Sequence, residues 1–168
     1  MLLVINIPKA TLLFHHLTQG KKMKQTLKIK KLHEDAQAPS KGSADAAGYD
    51  LYAIESVDIR STCRAKIRTG IAIELPENTV GQIWPRSKLA NMFGLQVLGG
   101  VVDCDYTGEV MISIMNSGHE TVEIRKGDRV AQMLIVPVLN FFEGFEVVDE
   151  LTPTVRGLEG INSTELRR

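Results

Sequence analysis

An excess of charge of either sign is missing from this sequence: twenty Lys and Arg balance twenty Asp and Glu over 168 residues, for a formal net charge of +0. Such a chain is not a non-specific nucleic-acid or membrane-surface binder, although a small anionic ligand needs only a local basic cluster. Cysteine is scarce as well. Cys63 and Cys104 show no Cys-x-x-Cys or Cys/His spacing, which argues against a disulfide framework and a zinc site and fits a reducing cytoplasm. No apolar run approaches the roughly 18 residues that a membrane span requires.

Acidic residues are absent from the start of the chain. The first is Glu34, and the charged side chains before it are all lysines. Met1 to Lys22 contains neither the Arg nor the Ser typical of a mitochondrial presequence. Its apolar run Leu2 to Ile7 precedes most of its positive charge, the reverse of a secretory signal. Gln19-Gly20-Lys21-Lys22-Met23 back-translates to a purine-rich stretch that can hold an AGG-type ribosome-binding sequence ahead of an ATG. We therefore expect Met23 to be the biological start and residues 1–22 to be a non-native or disordered extension. The same reading favours a bacterial or phage/viral source and a cytoplasmic location, and argues against organellar targeting.

The remainder, with 43% apolar residues in the chain as a whole, is long enough for one domain with a real core. Thr26 to Leu32 alternates like a strand, and β-branched runs follow at Lys66 to Leu75, Val110 to Met115, Thr121 to Ile124 and Val130 to Val138. Turn signals separate them at Pro39 to Ser43, Pro76 to Asn78, Asn116 to Gly118 and Lys126 to Asp128. The one good helix candidate is short, around Ser87 to Phe93. This profile predicts an all-β sandwich, jelly roll or barrel over residues 23–151. The tail, residues 152–168, holds Pro153, two glycines and little apolar content, and reads as a flexible C-terminal arm.

Five collinear segments carry the chemistry: AAGYDLYA (Ala46 to Ala53), PRSKLA (Pro85 to Ala90), GVVDCDYTGEV (Gly100 to Val110), KGDRVAQM (Lys126 to Met133) and RGLEGINST (Arg156 to Thr164). In order and spacing they resemble the trimeric deoxyuridine triphosphate nucleotidohydrolases, the dUTPases, over essentially Met23 to Thr164. The resemblance implies a distorted jelly-roll (β-clip) domain in a homotrimer with a C-terminal arm. It also implies hydrolysis of dUTP to dUMP and pyrophosphate, with Mg²⁺ as cofactor. That reaction limits uracil incorporation into DNA and supplies dUMP for thymidylate synthesis.

The third segment reads as a strand, a polar turn and the returning strand of a β-hairpin, which would present backbone groups in a fixed row. By resemblance, uracil docks on main-chain atoms around Gly100, Val101, Val102 and Met111, Tyr106 lies under the deoxyribose, and Asp103 is the general base that activates the attacking water. On the residues alone, Asp103 and Asp105 could equally be turn residues capping local N–H groups.

In the second segment, Pro85 stiffens the approach to a short helix whose start, with Arg86 and Ser87, makes a phosphate cradle. The family commonly has glycine where this chain has Lys88, a residue that could add a phosphate contact or obstruct one. Gln132 of the fourth segment is a candidate donor to the phosphates, while Arg129 could serve the site or pair with Asp128. Asp50 of the first segment either neutralises a cation, acting on Mg²⁺ through water, or orients Arg86. No direct protein ligand to the metal is expected. The fifth segment departs from the family pattern RGxGGFGSTG: Arg156, Ser163 and Thr164 remain for phosphate contacts, whereas Asn162, still a candidate substrate contact, stands where the pattern has glycine and Ile161 replaces the aromatic residue expected to stack on uracil.

Two other readings are open. A deaminase of the same fold acting on dCTP would need a catalytic glutamate in the hairpin region, where the chain reads Cys104-Asp105-Tyr106-Thr107-Gly108. A non-enzymatic nucleotide binder would fit the altered arm but not the joint retention of Asp103, Tyr106, Arg86 and Ser87.

Overall fold

The computed structural model describes residues 26–139 and 144–157. Eleven short strands and one helix are found among them. Strands β1 (Lys28–Lys31) and β5 (Ile71–Glu74) form one antiparallel pair, and β3 (Val57–Ile59) and β10 (Val122–Ile124) another. A four-stranded sheet runs in the order β2 (Tyr49–Tyr52), β11 (Arg129–Pro137), β6 (Thr79–Pro85), β8 (Val101–Val102). A three-stranded sheet runs β4 (Arg64–Arg68), β9 (Met111–Asn116), β7 (Leu95–Leu98).

Alternation explains which face of each strand turns inward. In β9, Ile112, Ile114 and Asn116 are buried while Met111, Ser113 and Met115 are not, the period-2 pattern of a sheet with one covered face. Leu51, Ile59, Ile67, Leu95 and Met133 meet these side chains in one core. Asn116 lies in that core at 0% exposure. Its amide donates to the Ile59 and Glu120 carbonyls at 2.8 and 2.7 Å, and its oxygen accepts from Gly118 N–H at 2.9 Å, so the Asn116 to Gly118 turn is locked from inside.

The helix α1 (Ser87–Phe93) coincides with the expected one and stops at Gly94, whose φ of 68° places it in the left-handed region. Two sequence expectations change. The β-branched run Lys66 to Leu75 is two strands, because Gly70, at φ 67°, turns the chain from the β4–β9 sheet to the β1–β5 pair. The expected hairpin at Gly100 to Val110 is a crossover. Its first limb, β8, pairs with β6 (Gly81↔Val102, Gln82↔Val101), whereas its second, β9, pairs with β4 and β7. Alternation sets which face a strand buries and leaves open which neighbour it joins.

Candidate active site

The phosphate-side residues converge on one buried carboxylate. Asp50 in β2 is 6% exposed. One of its oxygens lies 2.9 Å from Arg86 Nε, and the other accepts from Arg129 Nη1 at 3.2 Å. Sheet order makes this meeting possible. β11 lies between β2 and β6 with Gln132 opposite both Asp50 and Trp84, which places the start of β11 and the end of β6 on either flank of Asp50. Gln132 donates from Nε2 to the Pro85 carbonyl at 3.1 Å, so the turn into α1 is fixed just before Arg86. Asp128 accepts instead from Arg125 N–H at 2.8 Å. The local ion pair considered for Arg129 is therefore replaced by one to Asp50, and of the two roles open to Asp50 the geometry is that of orienting Arg86.

Ser87 and Lys88 are exposed at the start of α1. Lys88, Arg86 and Arg129 line a cavity of about 440 Å³ whose other charged walls are Glu120, Glu123 and Asp128. Among the described residues no group of three or more His, Cys, Asp or Glu could hold a metal ion. With both Asp50 oxygens on guanidiniums, the donor set suits a divalent cation that arrives on phosphate oxygens and keeps its waters.

The base-side residues gather elsewhere. Val101 and Met111 are exposed, at 65% and 43%. β8 is the edge of its sheet, and β7 reaches only as far as Ser113 along β9, so backbone groups at Val101–Val102 and Met111–Ile112 keep one open edge each. Gly100 continues the same row, its carbonyl accepting from Ile83 N–H at 2.7 Å. Between these edges runs the Asp103 to Gly108 turn, closed by Tyr106 N–H donating to the Asp103 carbonyl at 3.1 Å. The Tyr106 ring lies flush on Gly108, where a Cβ would stand 2.5 Å from the phenolic oxygen.

Sequence reasoning missed the support beneath this turn. Glu109 accepts from Arg68 Nε and Nη2 at 3.1 to 3.3 Å and from Gly70 N–H at 2.8 Å. Burial opposes the charge on Glu109, yet the Arg68 guanidinium and the Gly70 N–H outweigh it and hold the carboxyl below its usual range. The available signal was an unpaired-looking Arg68 ahead of Thr69-Gly70, with no motif to say what it meets.

The two groups do not come together within one chain. Val102 stands opposite Gly81, five strand residues before Arg86, a separation of roughly 17 Å at about 3.3 Å per residue. Beyond Val102 the chain heads further away. Tyr106 lines a different cavity, of about 240 Å³, against β1 and β5. In the arm, Arg156 is exposed, and Ile161, Asn162, Ser163 and Thr164 lie outside the described residues.

The chain thus sets two arginines on a buried carboxylate beside the start of a helix. The family model described as dUTPase matches residues 34–165. A deoxyuridine 5'-triphosphate nucleotidohydrolase of Paramecium bursaria Chlorella virus 1 is 42% identical over 83% of this chain and 97% of its own length. One from Saccharomyces cerevisiae is 41% identical over 83% and 95%. Among solved structures, the Staphylococcus bacteriophage 80alpha dUTPase with dUPNHPP superposes with a TM-score of 0.77 at 26% identity, covering 84% of this chain and 99% of that one. The dUTPase of phage phi11 of S. aureus, described with a structural Mg(II) ion, gives 0.68 at 27% identity over 75% and 98%. The chain belongs to the dUTPase family.

These relatives correct the expectation about source and location. Relatives at 40% identity or more include proteins of yeasts, human, rat and a chlorella virus, and the human one is a mitochondrial form; they favour neither a bacterial or phage source nor an argument against an organellar location. The purine-rich stretch upstream of Met23 does not identify a source, because Gln, Gly and Lys codons produce such stretches wherever these residues adjoin.

Proposed function

We propose that this chain hydrolyses dUTP to dUMP and pyrophosphate, with Asp103 taking a proton from the water that attacks the α-phosphorus. Asp50 carries the phosphate half of the reading, because it holds the guanidiniums of Arg86 and Arg129 together beside the start of α1. Lys88 adds a third cation on that cavity. The open strand edges at Val101 and Met111 pair with uracil and refuse cytosine, whose donor and acceptor positions are exchanged, at a cost of about 1–3 kcal/mol per unmet buried group. Tyr106 under the sugar leaves no room for a 2′-hydroxyl. Positioning and charge stabilisation supply most of the rate in such a reaction.

Arg86, Lys88 and Arg129 would take the phosphates of a triphosphate carrying Mg²⁺, and the ion would supply charge withdrawal from the phosphate oxygens. Pyrophosphate release from dUTP, dCTP, dTTP and UTP tests the assignment. We expect dUTP to be preferred by about 10²-fold or more, and equal use of dCTP or no release at all would overturn it.

A homotrimer follows from the same reading. An attacking water cannot be shared by a base and a cradle roughly 17 Å apart, so each site takes Asp103 from one copy and Arg86 from another, with the arm, residues 152–168, closing over them. In this scheme residues 23–151 form the catalytic domain and residues 1–22 are dispensable. Mixing Asp103→Asn with Arg86→Ala after reversible dissociation should restore about a quarter of the sites, half times half for the two required partners. No recovery on mixing would show that each copy works alone.

A further inference from the structure

We propose that Arg68 and Glu109 are positioning residues that hold Tyr106 in register and thereby set the discrimination between deoxyribose and ribose. The inference rests on the reading of Tyr106 as the sugar-facing residue. Tyr106 is 47% exposed, so packing against the body of the domain supplies little to hold it. Two contacts orient it. Its hydroxyl donates to the Glu109 carbonyl at 3.0 Å, and its ring rests on Gly108 with no space for a Cβ between them. Both contacts lie on the returning limb of its own turn, so Tyr106 is only as well placed as residues 108–109.

What ties that limb down is the Glu109 side chain. Its carboxylate, 13% exposed, takes the forked Arg68 guanidinium from the end of β4 and the Gly70 N–H from the corner leading to β5. Charge-assisted bonds of this kind are about twice as strong as neutral ones, and the fork fixes direction as well as distance. Val110 N–H donates to the Ile71 carbonyl at 2.8 Å, and the Thr69 hydroxyl donates to the Val110 carbonyl, so the backbone just beyond Glu109 stays in place when the carboxylate is altered. Loss of the clamp therefore frees Gly108 and Tyr106 without unfolding the corner.

The test measures kcat/KM for dUTP and for UTP in Glu109→Gln, Arg68→Met and Arg68→Lys, beside Tyr106→Ala and a core variant, Ile59→Val, that lowers stability far from the turn. We expect Glu109→Gln and Arg68→Met to lower the dUTP:UTP ratio by about 5- to 20-fold, part of the roughly 10²-fold that a shape-based pocket commands against an added hydroxyl. Arg68→Lys should recover part of the loss, and Ile59→Val should leave the ratio unchanged. A ratio within twofold of the parent in Glu109→Gln and Arg68→Met, while Tyr106→Ala relaxes it, overturns the clamp alone. An unchanged ratio in Tyr106→Ala overturns the reading of Tyr106 and the clamp with it. A ratio that falls equally in Ile59→Val assigns the effect to stability and also overturns the proposal.

Discussion

Asp103→Asn is expected to bind dUTP as the parent does and to turn it over about 10²- to 10⁴-fold more slowly, the range that a positioned general base contributes. The amide has the shape of the carboxylate and cannot take the water's proton. The turn should survive, because Tyr106 N–H donates to the main-chain oxygen of Asp103 and no side-chain hydrogen bond of Asp103 is present among the described residues. That geometry also disfavours the alternative of a capping residue, whose carboxylate would be spent on local N–H groups. Equilibrium binding of a non-hydrolysable dUTP analogue, read beside steady-state pyrophosphate release, separates the two quantities. Turnover at the parent rate would remove Asp103 from the mechanism.

Asp50→Ala should be costly in two ways. Removing one partner of a buried ion pair leaves the other charges unanswered and costs about 2–5 kcal/mol. The lower half of that range applies here, since Arg86 and Arg129 keep 29% and 47% of their side-chain surface in water. Both guanidiniums also lose their aim, and a misplacement of about 1 Å can cost about 10²-fold in a positioned site. We expect KM for dUTP to rise by roughly 10- to 100-fold, with a smaller fall in kcat. Urea unfolding and steady-state kinetics on the same preparation check both effects. A destabilised variant with the parent KM would mean that Asp50 supports the fold and that Arg86 does not depend on it for its place.

The site was more legible than the sheets. PRSKLA announced its helix, since Pro85 at a strand end and Ser87 at a helix start are local signals. The convergence of Asp50, Arg86 and Arg129 is not local; it depends on β11 lying between β2 and β6, so the sequence offered Asp50 as a partner for Arg86 but set Arg129 against its neighbour Asp128. Strand β6 was hard to see because Gly81, Gln82 and Pro85 interrupt its apolar residues, yet it joins the two groups of site residues by pairing with β8 at one end and leading into Arg86 at the other. The Glu109 clamp escaped notice because an Arg and a Glu separated by 41 positions leave no periodicity. The crossover at Asp103 was misread as a hairpin for the reason that governs all strand pairing: the pattern of side chains names the buried face and leaves the neighbour to tertiary packing.

In the shared site proposed above, the roughly 17 Å between β8's end and Arg86 makes turnover a property of a population of chains. Each copy would then donate part of one reaction centre and part of another, and velocity would obey mass action in the protein itself. On that proposal, dilution below the assembly constant would silence the enzyme, and a cell holding two versions of the gene would make mixed centres whose output neither version predicts alone.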